Sequence, residues 1–115
     1  MTNAFKYSMF RIVAPEPGKD PSVYVLEGKL SRLYVNEFLR CVRETGVGRN
    51  CFFDLESVSY VDALGEEALC WVSHMGGCFV ADSVYGRELC NRLGLRWVCC
   101  IEEGMQPKAG HGRAS

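Results

Sequence analysis

The chain has 115 residues, 48% of them apolar and 23% charged, the size and composition of one globular domain. Such a chain buries roughly two-thirds of the surface it exposes unfolded, so its core needs neither a metal nor a disulfide to hold it. The 13 basic and 14 acidic residues leave a formal charge of −1 and no clustered field, which argues against nucleic acid and anionic membranes as partners.

In chain order, Met9 to Val13 reads as a first strand, closed by the turn-forming APEPGKDPS, and SVYVLEGKL as a second. Ser31 is placed to cap a helix running to about Glu44. Along it Val35, Phe38, Leu39 and Val42 fall at i, i+3, i+4 and i+7, one apolar stripe, while Glu37, Arg40, Arg43 and Glu44 make the solvated face. GVGRN then turns the chain; it lacks the following helix and lysine of a phosphate-cradling loop. CFFDL suits a strand buried on both faces, as central parallel strands are.

In SYVDALGEEAL, β-favouring residues give way to helix formers through Asp62, which reads as the N-cap of a second helix. Glu66 and Glu67 lie in its first turn, where the helix dipole favours negative charge. Leu64, Ala68, Trp71, Val72 and Met75 recur at helical spacing, so Leu64 is either the first core residue of this helix or, if exposed, apolar area for a partner. Gly65 costs the helix about 1 kcal/mol relative to alanine and implies close approach by another backbone. Ser57, Ser59 and Tyr60, just before the junction, read as turn formers and packing residues of a strand-to-helix loop, with Ser57 and Ser59 weak candidates for phosphorylation. GGCFVA is a further short buried strand. Ser83 opens a third helix in which Tyr85, Leu89 and Leu93 share a face before Gly94 ends it, and Trp97 to Ile101 is the candidate for an edge strand. Residues 102–115 read as a disordered tail beyond a domain spanning 1–101.

The order β, β, α, β, α, β, α with a final strand predicts a single-domain α/β fold, a mixed sheet with helices packed against it. The first two strands pair antiparallel at one edge, and the others are parallel with right-handed crossovers.

Seven cysteines in an odd count, with no CxxC pair and most at positions a small apolar residue would take, predict free thiols and a reducing cytoplasm. The first ten residues lack a signal peptide's apolar stretch, and no run is long enough to span a bilayer. His74 and Cys78 are spaced like a nucleophile and base or two metal ligands. Gly76 and Gly77 break the helix between them and no third ligand is placed, so no catalytic residue, metal or cofactor is assigned. The vicinal Cys99 and Cys100 read as strand filler, worth testing if exposed, and His111 lies in the tail without a role.

VYVLEGKL, a helix, CFFDLESVSYVDALGEEAL and then GGCFVADSVYGRELCNRLGL together resemble the STAS domain, the fold of anti-sigma factor antagonists and of the cytoplasmic tails of sulfate transporters, over about Met9 to Leu95. The resemblance implies a non-enzymatic bacterial module that binds a protein, often a kinase-like anti-sigma factor, in partner-switching control of transcription. In switchable members the junction reads Asp, a small or hydroxyl residue, Ser or Thr, then Gly, and the hydroxyl before the Gly accepts phosphate. Here those positions are Asp62, Ala63, Leu64 and Gly65, and Leu64 has no hydroxyl. The partner surface it implies comprises Asp62, Ala63, Leu64 and Gly65, together with Ser83, Val84 and Arg87 at the head of the third helix. Two alternatives stand beside it, an accessory subunit of a membrane transport ATPase and a small-ligand or nucleotide binder using the helix N-termini. A homodimer is compatible with any of the three.

Overall fold

A computed structural model of the chain describes residues 9–47 and 50–105. The elements follow in the order β1 (Phe10–Val13), β2 (Ser22–Leu30), α1 (Arg32–Thr45), β3 (Cys51–Val61), α2 (Ala63–His74), β4 (Cys78–Val80), α3 (Val84–Leu93), β5 (Trp97–Val98) and α4 (Ile101–Met105). The sheet runs β1-β2-β3-β4-β5; β1 is antiparallel to β2, and β2 through β5 are parallel. Residues of α1, α2 and α3 share one core cluster, so the three helices pack on one face of the sheet.

That face carries the main core. Tyr24 and Leu26 of β2, Phe53 and Leu55 of β3 and Phe79 of β4 meet Phe38 and Val42 of α1, Leu69 and Val72 of α2, and Leu89 and Cys90 of α3. Phe53 is the hub of an aromatic cluster. It stacks on Tyr24 at 4.5 Å between ring centroids, meets Phe38 edge-on at 6.4 Å and lies 5.7 Å from Phe79, geometries that add to simple area burial. The Tyr24 hydroxyl donates to the Gly46 carbonyl at 2.9 Å, tying the end of α1 to the sheet, and burial pushes its pKa up to about 12. On the opposite face Phe52, Cys78 and Val80 form a smaller cluster with Val98 and Ile101, beside which α4 packs.

Three expectations are corrected. The strand opened by CFFDL does not stop there but runs to Val61, so Ser57, Ser59 and Tyr60 are strand residues and not part of a loop. Its pairing with β2 shifts between Val25 and Glu27 and again between Gly28 and Lys29, each time with one extra residue on β3. These bulges replace strict alternation by buried residues at Leu55, Val58 and Val61. The last strand is only Trp97–Val98, and the chain is helical from Ile101, so Cys99 and Cys100 are not strand filler. Finally, the buried stripe of α2 is Gly65, Ala68, Leu69 and Val72, rotated by one residue from the expected face, which leaves Leu64 and Met75 42% and 51% exposed. Gly48 and Arg49 of the expected GVGRN turn, and 106–115 of the expected tail with His111, lie outside the described residues.

Gly65 explains the rotation. A Cβ at this position would run into the Leu30 carbonyl oxygen and come within 2.8 Å of the Val61 side chain. Only a glycine lets the first turn of α2 settle against the ends of β2 and β3, and its core face is set by that contact. Gly94 plays a different part, ending α3 in the left-handed region at φ 71°.

Replacing Gly65 with alanine is therefore expected to destabilise the fold by about 1–2 kcal/mol, an overpacking cost that outweighs the gain in helix propensity. A melting temperature lower by several degrees in thermal unfolding would show it; an unchanged one would mean that the junction gives way freely.

Candidate functional site

Because β2, β3 and β4 are parallel, the helices that follow them all begin at the same edge of the sheet, beyond the carboxyl ends of the strands. This edge holds every residue of the expected partner surface. Each helix head has unpaired backbone N–H groups to satisfy, and the three solutions differ.

Asp62 caps α2, with its Oδ1 accepting from the Gly65 N–H at 2.8 Å. Its other oxygen, Oδ2, accepts from the Arg32 N–H in the first turn of α1, also at 2.8 Å, and its own N–H donates to the Leu30 carbonyl at 3.1 Å. One carboxylate thus caps two helices. Ser31, expected to cap α1, makes no side-chain cap bond; its backbone carbonyl accepts from the Tyr34 N–H at 2.8 Å, and the Arg32 N–H is held by Asp62. The N–H groups of Gly65 and Arg32 stabilise the charged carboxylate and hold its pKa below the ordinary 3.8.

At the head of α3 the same device recurs in neutral form. Ser83 Oγ accepts from the Gly86 N–H at 3.0 Å, so D-A-L-G and S-V-Y-G are two versions of one strand-to-helix junction. The Tyr85 hydroxyl reaches back to accept the Val61 N–H at 2.9 Å, at a level where β3 has outrun the three-residue β4. Glu56 of β3 accepts the Asp82 N–H, and Asp82 in turn holds Arg87 at 2.6 Å. Arg92 bridges α3 to Glu66 of α2 at 2.8 Å.

The capping oxygens of Asp62 and Ser83 are therefore spent on backbone N–H groups. Beside exposed charged residues such as Arg32, Glu67 and Arg87, three large apolar side chains face water. Leu64, in the first turn of α2, is 42% exposed and not a core residue; Val84, which opens α3, is 87% exposed; Leu33, in the first turn of α1, is 82% exposed. Ala63 and Arg87 are exposed as well, whereas Gly65 is buried. Gly65 is thus a seat for the helix and not a contact surface. Leu33 escaped the sequence reading. Its signal was an apolar residue in a helical first turn lying off the Val35, Phe38, Leu39, Val42 stripe.

The other sequence candidates do not assemble. His74 is exposed at the end of α2, while Cys78 is buried in β4 with its Sγ 3.9 Å from the Phe79 carbonyl, and burial raises its pKa. Among the described residues no group of three or more His, Cys, Asp or Glu is arranged to hold a metal ion, and no helix is long and apolar enough to cross a membrane. Ser57 and Ser59 are exposed on β3, and Ser59 Oγ donates to the Gly28 carbonyl at 3.3 Å.

No protein-family model matches the chain, and no curated protein does. Solved structures do match. The anti-sigma factor antagonist SpoIIAA in its unphosphorylated form superposes with a TM-score of 0.58 at 14% identity, over 82% of this chain and 93% of that one. The chain has a STAS-like fold. A protein of the DUF3478 family from Shewanella loihica, itself with a SpoIIAA-like fold, superposes with a TM-score of 0.50 at 8% identity over 82% and 88% of the two chains. Against this STAS-like frame the D-A-L-G junction stands between the third strand of the mixed sheet and the helix that follows it, and an exposed leucine fills its third position.

Removing the Asp62 carboxylate strips a partner from two backbone N–H groups at once. Asp62→Ala is expected to cost about 2 kcal/mol, the upper end for a single cap. Because the folded pKa lies below the ordinary 3.8, this stabilisation is complete above about pH 4 and is lost as the pH falls through the lowered value. Denaturant melts at pH 7 and pH 3 check it: the gap between wild type and variant should narrow in acid, and a constant gap would contradict the dual cap.

Proposed function

We propose that this protein is a docking module that binds another protein through the heads of α1, α2 and α3. In this reading it is an anti-sigma factor antagonist-like, non-enzymatic component of a bacterial partner-switching system, at work in the cytoplasm, and its partner is a histidine-kinase-like ATPase domain of an anti-sigma factor. The observation that supports this reading most is the exposure of Leu33, Leu64 and Val84 in the first turns of three helices that start at one edge of the sheet. Elsewhere on those helices the apolar side chains mostly turn to the core; here one on each helix does not.

Leu64 makes the docking constitutive. A phosphoryl group at a helix head adds about 1.5 to 2 negative charges and alters a surface abruptly, but a leucine cannot accept one. It contributes only apolar area, at roughly 25 cal/mol per Å² removed from water when the partner covers it. The regulated step, in this reading, lies in the partner or in the amount of protein.

Leu64→Asp and Val84→Asp test the proposal cleanly, since an acidic residue in a first turn suits the helix dipole and leaves the fold intact. Each variant is expected to weaken binding to a co-purified partner by about tenfold or more, equivalent to about 1.4 kcal/mol, with an unchanged melting temperature. Wild-type affinity in both variants would contradict the docking surface. Recovery of an ABC-type ATPase in place of a histidine-kinase-like one would assign the domain to a transport system instead.

A further inference from the structure

The chain leaves β5 at Val98 and enters α4 at Ile101, and the two residues between are Cys99 and Cys100. Both are exposed, whereas Cys51, Cys78 and Cys90 are buried and Cys41 and Cys70 are half-buried. Burial pushes the Cys90 thiol up to about 12 and raises the Cys41 and Cys78 thiols, which favours their protonated forms. The exposed pair differs in access and in setting.

The bend that carries the pair is held by backbone bonds. The Cys99 N–H donates to Glu103 Oε1 at 2.8 Å, and the Cys100 carbonyl accepts from the N–H groups of Glu103 and Gly104 at 3.1 and 3.4 Å. Arg87 of α3, while paired with Asp82, brings its Nη2 within 3.9 Å of the Cys99 sulfur. The backbone on which the two thiols stand is therefore fixed, and one sulfur has a cationic neighbour.

Adjacent residues joined by a trans peptide have Cα atoms about 3.8 Å apart, less than the roughly 4.4 Å at which unstrained disulfides begin. Direct joining of these sulfurs is disfavoured. A bridge with one atom inserted between them is longer and fits neighbours better, and sulfur ligands favour soft centres. We propose that Cys99 and Cys100 form a dithiol site for a soft, thiophilic centre, with trivalent arsenicals as the ligand class.

With phenylarsine oxide as the ligand, both thiol protons pass to the oxide oxygen, which leaves as one water. Two As–S bonds replace the arsenic–oxygen double bond, no electrons are transferred and arsenic stays trivalent. The site stands independently of the docking reading, although Arg87 places it beside the head of α3.

Intact-mass spectrometry of the full chain with one equivalent of phenylarsine oxide provides the test. One adduct is expected, surviving excess 2-mercaptoethanol, released by 2,3-dimercaptopropanol, mapping to the peptide that contains both cysteines, and absent from Cys99→Ser and Cys100→Ser. An adduct that the monothiol strips, that maps to Cys41 or Cys70, or that persists in either variant would overturn the proposal. Peptide mapping of the wild-type protein decides the question even if a variant fails to fold.

Discussion

The Asp62 carboxylate is the interaction on which the arrangement at the edge where the helices begin depends. Helix heads expose N–H groups that must find acceptors, and α1 has no capping side chain of its own: Ser31 is in the right place but makes no such bond. Its first turn is capped by a carboxylate 30 residues further on, which caps α2 with its other oxygen. The two helices are thereby locked to each other and, through the Asp62 N–H and the Leu30 carbonyl, to the end of β2. Gly65 completes the joint by allowing α2 to sit where any Cβ would collide.

Once the polar groups are spent on backbone, the character of the edge follows. A bare helix N-terminus attracts anions, but here Asp62 and Ser83 already fill that role for α2 and α3. The outward side chains of the same turns are Leu33, Leu64 and Val84, so the edge presents apolar area on a framework held by hydrogen bonds. Ionisable groups flank it: the Asp62 carboxylate lies two residues from Leu64, and Arg87 and Asp82 pair with each other.

The element order from β1 to β5, the antiparallel first pair and the parallel remainder were legible because turn residues and apolar periodicity are local signals; α4, which occupies the start of the expected tail, was not. The features that were not legible depend on partners distant in sequence. The full length of β3 was hidden by its two bulges, which space Leu55, Val58 and Val61 by three and break the alternation that marks a strand. The face of α2 was misread because two apolar stripes compete on it, and the true one begins with a glycine, a residue with no hydrophobic signal of its own. The cap of α1 was assigned to Ser31 because nothing near it in sequence announces that Asp62 will arrive. At the site, Asp62 and Ser83 were read correctly as helix openers from residue type alone, while the exposure of Leu64 required the rotation of α2 to be known.

A titration of the backbone amides by nuclear magnetic resonance tests the double cap most directly. The Arg32 and Gly65 N–H resonances should shift together on acidification, with one shared midpoint below the ordinary carboxyl value of 3.8, because both report the same carboxylate. A Gly65 resonance that moves while Arg32 stays still, or a midpoint at or above 3.8, would contradict the account.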